Sequence, residues 1–127
     1  MNKSKIINEV KKLNLNKDEF WVIGSSSLVL RDLLESANDI DIAITKSQFD
    51  KLDNLVYLGE NHNCKWYRIN DNVECCIDTF TSDKVEYSYP FNLLRLEYYY
   101  EIIRNSNREK DLIKKDIVYH FLTNKKQ

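Results

Sequence analysis

The spacing of hydrophobic residues changes along this chain, and each change predicts where a helix gives way to a strand. Apolar positions recur every three or four residues over 3–13, including Ile6 and Val10, which predicts an amphipathic helix. The run FWVIG at residues 20–24 is short and continuously apolar, as in a buried strand. Helical spacing returns over residues 25–34, so we expect this strand to lead directly into a second helix.

Alternation of polar and apolar residues marks the middle of the chain. The segment DIDIAIT at residues 39–45 predicts a strand that carries its two aspartates on one face. Thr45, followed three residues later by Gln48, predicts a capping box that opens a short helix. Three further strands are predicted at residues 55–58, 65–69 and 73–80.

The last part of the chain is predicted to be helical. Pro90 is expected to begin a helix whose apolar positions run from Leu93 to Ile103, and a final helix contains Phe121. Helices and strands in this order are typical of an α+β, or mixed α/β, fold. We expect a single domain over residues 1–127, with an α/β core at 1–89 and a C-terminal helical part at 90–127.

Composition narrows the class of protein. No apolar stretch approaches the roughly 20 residues of a membrane span, and the start MNKSKII lacks the apolar run of a secretory signal. We therefore expect a cytoplasmic protein with no membrane partner. Three cysteines, an odd number, argue against a disulfide framework. Cys75 and Cys76 would point to opposite faces of one strand, so a zinc site is not expected either.

Charge is unevenly distributed, although the formal net charge is only -1. Residues 1–12 sum to +3 and residues 104–127 to +4, whereas the segment between them sums to -8. Such lysines are usually solvated helix faces, and the alternative is that basic ends attract a polyanion toward an acidic centre. There is no arginine-rich stripe with interleaved aromatic residues, so nucleic acid remains an open but unsupported partner.

The two aspartates of the DIDI segment are candidate metal ligands. Asp39 and Asp41 are two residues apart on the predicted strand, so both carboxylates face the same way. Mg²⁺ or Mn²⁺ suits such a pair because the ion takes few protein oxygens and keeps positions for water and phosphate. A third carboxylate is expected from the strand VECCID. Asp78 is favoured because it lies deeper in the apolar run, and Glu74 on the same face is the alternative.

A glycine and a serine precede these aspartates at a characteristic distance. Gly24 and Ser25 stand where the first strand is predicted to become a helix, a turn that exposes N–H groups to a phosphate. Thirteen residues separate Ser25 from the DIDI segment. This pattern resembles the signature of the nucleotidyltransferase fold of the polymerase-beta superfamily, closest to its small bacterial antibiotic-modifying and toxin-system branch. Many members of that branch carry a late Arg-x-Lys-Asp, which REKD at residues 108–111 matches.

The resemblance implies a fold, a reaction and a set of site residues. The fold is a nucleotidyltransferase-like mixed sheet flanked by helices, with C-terminal helices. The reaction is Mg²⁺-dependent transfer of a nucleoside monophosphate from an NTP, such as ATP, to a hydroxyl of a small molecule, an RNA or a protein. The implied catalytic and metal-binding residues are Asp39, Asp41 and Asp78, and the implied nucleotide-binding residues are Gly24, Ser25, Arg108 and Lys110.

Alternatives remain open at the level of the sequence. Asp32 and Leu34 stand where relatives often carry Gly and a basic residue, and a carboxylate close to the phosphates would repel them. These departures favour a catalytically inactive binding module, such as one half of a toxin–antitoxin-like pair. An unrelated α+β domain with incidental acids is a third interpretation. The run Tyr98–Tyr100 is expected either to stack a nucleobase or to pack a helix, and a protein partner or homo-oligomer stays open.

Overall fold

The computed structural model of the chain describes residues 1–125, which form five helices and seven strands. The helices are α1 (Lys3–Lys12), α2 (Gly24–Leu30), α3 (Lys46–Phe49), α4 (Leu96–Ile103) and α5 (Glu109–Lys125). The strands are β1 (Phe20–Ile23), β2 (Ile40–Ile44), β3 (Val56–Asn61), β4 (Cys64–Arg68), β5 (Val73–Ile77), β6 (Val85–Ser88) and β7 (Phe91–Leu94). The predicted α+β class is therefore confirmed.

One mixed sheet contains all of these strands, in the order β3-β4-β5-β2-β1-β7-β6. At its centre, β2 lies antiparallel to β1 and parallel to β5, and β1 lies parallel to β7. The carboxyl ends of β1 and β7 therefore meet the amino ends of β2 and β5 at the same edge of the sheet. The residues at that edge come from four separate parts of the chain.

The two faces of the central strands pack against different helices. On one face, Ile40, Ile42 and Ile44 are fully buried in a core cluster that includes Ile6 and Val10 of α1. On the other face, a second core cluster combines strand residues with α4 and α5, and its members include Trp21, Ala43, Cys76, Leu96, Tyr99, Ile103 and Val118. The predicted alternation of β2 and β5 is confirmed, because Ile42 and Cys75 belong to the first cluster and Ala43 and Cys76 to the second.

The segment 85–94 differs from the prediction, because it forms a β-hairpin where a loop and the start of a helix were expected. β6 pairs antiparallel with β7, and Leu93 lies opposite Val22 in the parallel pairing with β1. Buried Phe91 and Leu93 flank the half-buried Asn92, which is the period of a strand. Leu93 and Leu96 have helical spacing, so the sequence pattern predicted one continuous helix where β7 ends and α4 begins. The C-terminal helical part therefore begins at Leu96, not at Pro90.

Thr45 begins α3 as predicted, although the capping box is only half formed. The Thr45 hydroxyl accepts a hydrogen bond from the Gln48 N–H at 3.2 Å. The Gln48 side chain does not return to the cap. Its buried carbonyl oxygen accepts from the Asn16 N–H at 3.0 Å and so ties α3 to the loop after α1.

Arg31 connects the end of α2 to the β6–β7 hairpin. Its guanidinium donates to Glu86 Oε1 at 2.6 Å and to the Leu94 carbonyl at 2.8 Å, and the Arg31 side chain is only 8% exposed. The helix that follows Gly24 is thereby held against β7, the strand that leads into α4. No helix among residues 1–125 has both the length and the apolar character needed to cross a membrane.

Candidate active site

The strand register brings Asp41 beside Glu74. In the parallel pairing of β2 with β5, these two residues are direct partners, and Asp39 lies immediately before β2 on the same face. All three line one cavity of about 390 Å³ above this edge of the sheet. Three carboxylates from two neighbouring strands therefore share one concave surface.

Asp78 also lines this cavity, but at a distance from the other carboxylates. It follows β5, four residues beyond Glu74, which corresponds to about 13 Å along a strand. Its side chain is exposed, and its Oδ1 accepts a hydrogen bond from the Thr79 N–H at 2.8 Å. Of the two acids weighed from the sequence, Glu74 is thus the one that the register places beside Asp41.

Gly24 packs directly against Asp41. Gly24 has a φ of +66°, and a Cβ atom at this position would lie 3.0 Å from Asp41 Oδ2. The Asp41 N–H donates to the Ser26 hydroxyl at 3.3 Å, and that hydroxyl donates to the Ile23 carbonyl at 3.0 Å. The absence of a side chain at Gly24 therefore lets the first turn of α2 approach the Asp41 carboxylate closely.

The environment of Asp41 disfavours its ionised form. Burial, followed by the negative charges of Glu74 and Asp39, raises the pKa of Asp41 from 3.8 to about 6, although Lys114 and Lys110 act in the opposite direction. A carboxylate pKa that is raised by burial and by neighbouring negative charges, inside a cavity, is typical of functional sites. A cation bound between these carboxylates would relieve the repulsion.

Three cations at or just before the start of α5 contribute to the wall of the cavity. Arg108, Lys110 and Lys114 all line it. Arg108 and Lys110 are exposed, whereas Lys114 is partly buried. Burial lowers the pKa of Lys114, as do the neighbouring cations Lys110 and Arg108, whereas Asp111 and Asp41 raise it. We call Arg108, Lys110 and Lys114 the cationic wall.

Asp111, which also lines the cavity, connects this wall to the loop before α5. Its side chain is buried, and Oδ2 accepts a hydrogen bond from the Ser106 hydroxyl at 2.7 Å. Arg108 Nε lies 3.8 Å from the same oxygen. The Ser106 hydroxyl in turn accepts from the Arg108 N–H at 3.2 Å. The loop before α5 and the first turn of the helix are therefore held together by a single buried carboxylate.

Aromatic and apolar side chains complete the cavity. Leu58 and Trp66 approach from the β3–β4 hairpin, and Ile102 from α4. The Trp66 indole N–H donates to the Asn61 carbonyl at 3.1 Å, which holds the ring across the hairpin. The cavity thus has an acidic floor, a cationic wall and an apolar wall.

The tyrosine run of α4 is divided between different environments. Tyr99 lines the cavity and is 5% exposed, with its ring in the second core cluster. Tyr100 packs toward Tyr119 of α5, with ring centroids 6.3 Å apart. Only Tyr99 among the three faces the cavity, and its burial fits helix packing better than a freely exposed stacking surface.

Most of the residues proposed from the sequence line the same cavity. They are Gly24, Asp39, Asp41, Asp78, Arg108 and Lys110. Ser25 is half-buried in the first turn of α2 and is not among the lining residues. Lys114 was missed by the sequence analysis. Its position four residues after Lys110 on a predicted helix was the signal that could have identified it.

The donor chemistry of the acidic floor fits Mg²⁺. Asp39, Asp41 and Glu74 offer hard carboxylate oxygens, and Mg²⁺ in proteins commonly takes one or two of these together with water and substrate phosphate. Among residues 1–125, no three His, Cys, Asp or Glu side chains are grouped so as to hold a metal ion on their own. A site of one or two carboxylates completed by phosphate is therefore the arrangement that these residues support.

Comparison with known proteins adds no assignment to this geometry. No family model matches the chain, and no curated protein or solved structure shows a significant match to it. What the cavity can do has to be inferred from its own residues.

Proposed function

We propose that this chain is a metal-dependent nucleotidyltransferase that moves a nucleoside monophosphate from an NTP to an acceptor hydroxyl. One observation carries the proposal: Asp41 and Glu74 line the same cavity as the cationic wall, close enough for Lys110 and Lys114 to act on the Asp41 carboxylate. A triphosphate requires cations to neutralise its phosphates, and transfer requires carboxylates near the reacting phosphorus. The order of Gly24, Ser25, Asp39 and Asp41 in the sequence supports the same reaction class.

The proposed reaction assigns a separate task to each side of the cavity. The acceptor oxygen attacks the α-phosphorus, and the bond from that phosphorus to the β-phosphate oxygen breaks, so that pyrophosphate leaves with the electron pair. The hydroxyl proton passes to a carboxylate, for which Glu74 is the candidate. Arg108 and Lys110 neutralise the charge that develops on the leaving pyrophosphate. The turn at Gly24 and Ser25 holds the phosphates close to Asp41.

Asp39 and Asp41 are the proposed ligands of the metal ion. When bound, Mg²⁺ or Mn²⁺ supplies positive charge between these carboxylates and the phosphates. The raised pKa of Asp41 supports this role, because it reflects first the burial of the carboxylate and then the negative charges of Glu74 and Asp39, all of which a bound cation would offset.

Incubation with radiolabelled NTPs, Mg²⁺ and a cell lysate tests the proposal. Wild-type protein is expected to transfer label to a component of the lysate, and Asp41→Asn is expected to abolish the transfer. Asp53→Asn, which removes an exposed carboxylate outside the cavity, should keep wild-type activity. Label transfer that persists in Asp41→Asn would refute the mechanism. Absence of transfer by the wild type would favour an interaction module.

Asp32 and Leu34 depart from the residues that relatives often carry, but neither side chain lies in the cavity. Asp32 lies outside the cavity lining, and its carboxylate pairs with Lys3 Nζ at 3.1 Å. Leu34 packs against the hydrophobic core clusters. Neither side chain approaches the proposed phosphate site, so these two positions do not favour an inactive protein.

A further inference from the structure

The cationic wall contains one partly buried ammonium group, that of Lys114, which the described part of the chain does not pair. Within residues 1–125, Lys114 forms no ion pair within 4.0 Å and no hydrogen bond. Its neighbour Lys115 does have a partner, because Lys115 Nζ donates to the Ser106 carbonyl at 3.4 Å. Lys114 instead lines the cavity in a partly buried position. Partial burial of a cation without a partner costs hydration free energy, which a ligand of opposite charge would offset.

The surroundings of Lys114 specify which kind of ligand could pair with it. The other cations near it are Lys110 and Arg108, and the nearest anions that act on it are Asp111 and Asp41. Asp111 is already engaged by Ser106 and Arg108, and Asp41 is packed against Gly24. A ligand that satisfies three neighbouring cations must carry several negative charges within a few ångströms. A diphosphate group meets this requirement, and a single carboxylate does not.

We infer that Lys114, together with Arg108 and Lys110, binds the diphosphate portion of the nucleotide, which leaves as pyrophosphate. Lys114 is the most buried of the three cations, so its contact with this group is the least screened by solvent. The inference rests on the proposed function for the nucleotide, but the diphosphate site itself requires no turnover. It predicts that the protein binds inorganic pyrophosphate in the presence of Mg²⁺.

Isothermal titration of the full chain with inorganic pyrophosphate and Mg²⁺ tests this inference. Lys114→Met is expected to weaken binding about ten- to a hundredfold, as loss of a charge-assisted contact does. Lys114→Arg should recover most of the affinity because it restores the charge. Lys115→Met removes a lysine of the same helix that does not line the cavity, and it should bind within about twofold of the wild type.

The outcomes separate this inference from the transfer reaction. Equal affinity of Lys114→Met and wild type would overturn the inference, and so would equal losses in Lys114→Met and Lys115→Met. A wild-type protein that does not bind pyrophosphate would also overturn it. Lys114-dependent binding without any nucleotidyl transfer would uphold the diphosphate site and reject the proposed function alone. Thermal melting of each variant establishes that the protein under titration is folded.

Discussion

Asp41 is a carboxylate in an electrostatically unfavourable position within the cavity. Its carboxylate is partly buried, lies beside Glu74 and Asp39, and has Gly24 packed against it. A residue chosen for stability at this position would be neutral, because an ionised carboxylate loses hydration on burial. The proposed metal ion would give this charge a role. Two predictions follow from the contacts of this one residue.

Asp41→Asn is expected to stabilise the fold at neutral pH. Because the folded-state pKa of Asp41 is raised to about 6, the native state binds a proton more tightly than the unfolded state. Stability is therefore lost as the pH rises from about 4 to about 6. Urea denaturation at pH 7.5 should show a gain of about 1 to 3 kcal/mol for Asp41→Asn, falling toward zero at pH 4.

Asp53→Asn serves as the control for this measurement, because Asp53 is exposed and lies outside the cavity. Asp53→Asn should change the free energy of unfolding by less than about 0.5 kcal/mol, as exposed substitutions usually do. A variant Asp41→Asn that is less stable than the wild type at pH 7.5 would contradict the argument.

Gly24→Ala is expected to destabilise the protein for two reasons. The added Cβ would lie 3.0 Å from Asp41 Oδ2, and an L-residue at φ +66° is strained. Together these should lower the free energy of unfolding by about 1 to 3 kcal/mol. A double-mutant cycle with Asp41→Ala separates the two causes. If the collision matters, Gly24→Ala costs less in the Asp41→Ala background, whereas equal costs would leave only backbone strain.

At the scale of elements, strand register decides which carboxylates meet. β2 and β5 are parallel neighbours, and their pairing places Asp41 opposite Glu74. The sequence predicted the alternation along each strand, but it did not predict that β2 pairs with β5, because two other strands lie between them in the chain. The β6–β7 hairpin is a case in which the local pattern gave the wrong element. Leu93 has helical spacing to Leu96, yet it is buried as a strand residue because β1 offers it a partner.

Register also predicts different consequences for the two candidate third carboxylates. Glu74→Gln is expected to lower nucleotidyl transfer by at least about a hundredfold, because it removes the acid beside Asp41. Asp78→Asn should stay within about tenfold of the wild type, since Asp78 lies about 13 Å farther along the strand direction. Transfer rates with labelled NTP measure both. The reverse order of effects would restore Asp78 as the third carboxylate.

At the scale of the whole molecule, the fold joins segments of opposite charge. The acidic middle of the chain supplies the floor of the cavity, and the basic C-terminal segment supplies its cationic wall. α4 and α5 pack on the face of the sheet that carries Asp41 and Glu74, which brings the wall over the floor. The uneven charge seen in the sequence is thus concentrated around one cavity. Charge of both signs around a cavity favours a ligand that contains phosphate and a divalent cation.

Mg²⁺ is expected to raise the melting temperature of the wild-type protein, because a ligand that binds the native state stabilises it. Asp41→Asn should show little or no rise, since the substitution removes the most perturbed carboxylate of the floor. A series of thermal melts at increasing Mg²⁺ concentration measures the effect, with Na⁺ at matched ionic strength as the control. An equal rise in both proteins would indicate that Mg²⁺ binds elsewhere or only screens charge.

The sequence by itself determined the local features of this protein. The α+β class, the alternation of β2 and β5, the strand-to-helix turn at Gly24 and the cap at Thr45 all depend on residues close together in the chain. Such features are set by backbone geometry and short-range hydrogen bonds, which leave a periodic signal in the sequence.

Only the tertiary structure decided which residues from distant parts of the chain lie next to one another. It selected Glu74 as the neighbour of Asp41, brought Lys114 to the cavity, turned residues 91–94 into a strand and placed Asp32 outside the cavity lining. Each of these depends on which strands pair and which helix faces are buried. Those choices come from the packing of the whole core, and a single segment of sequence does not contain them.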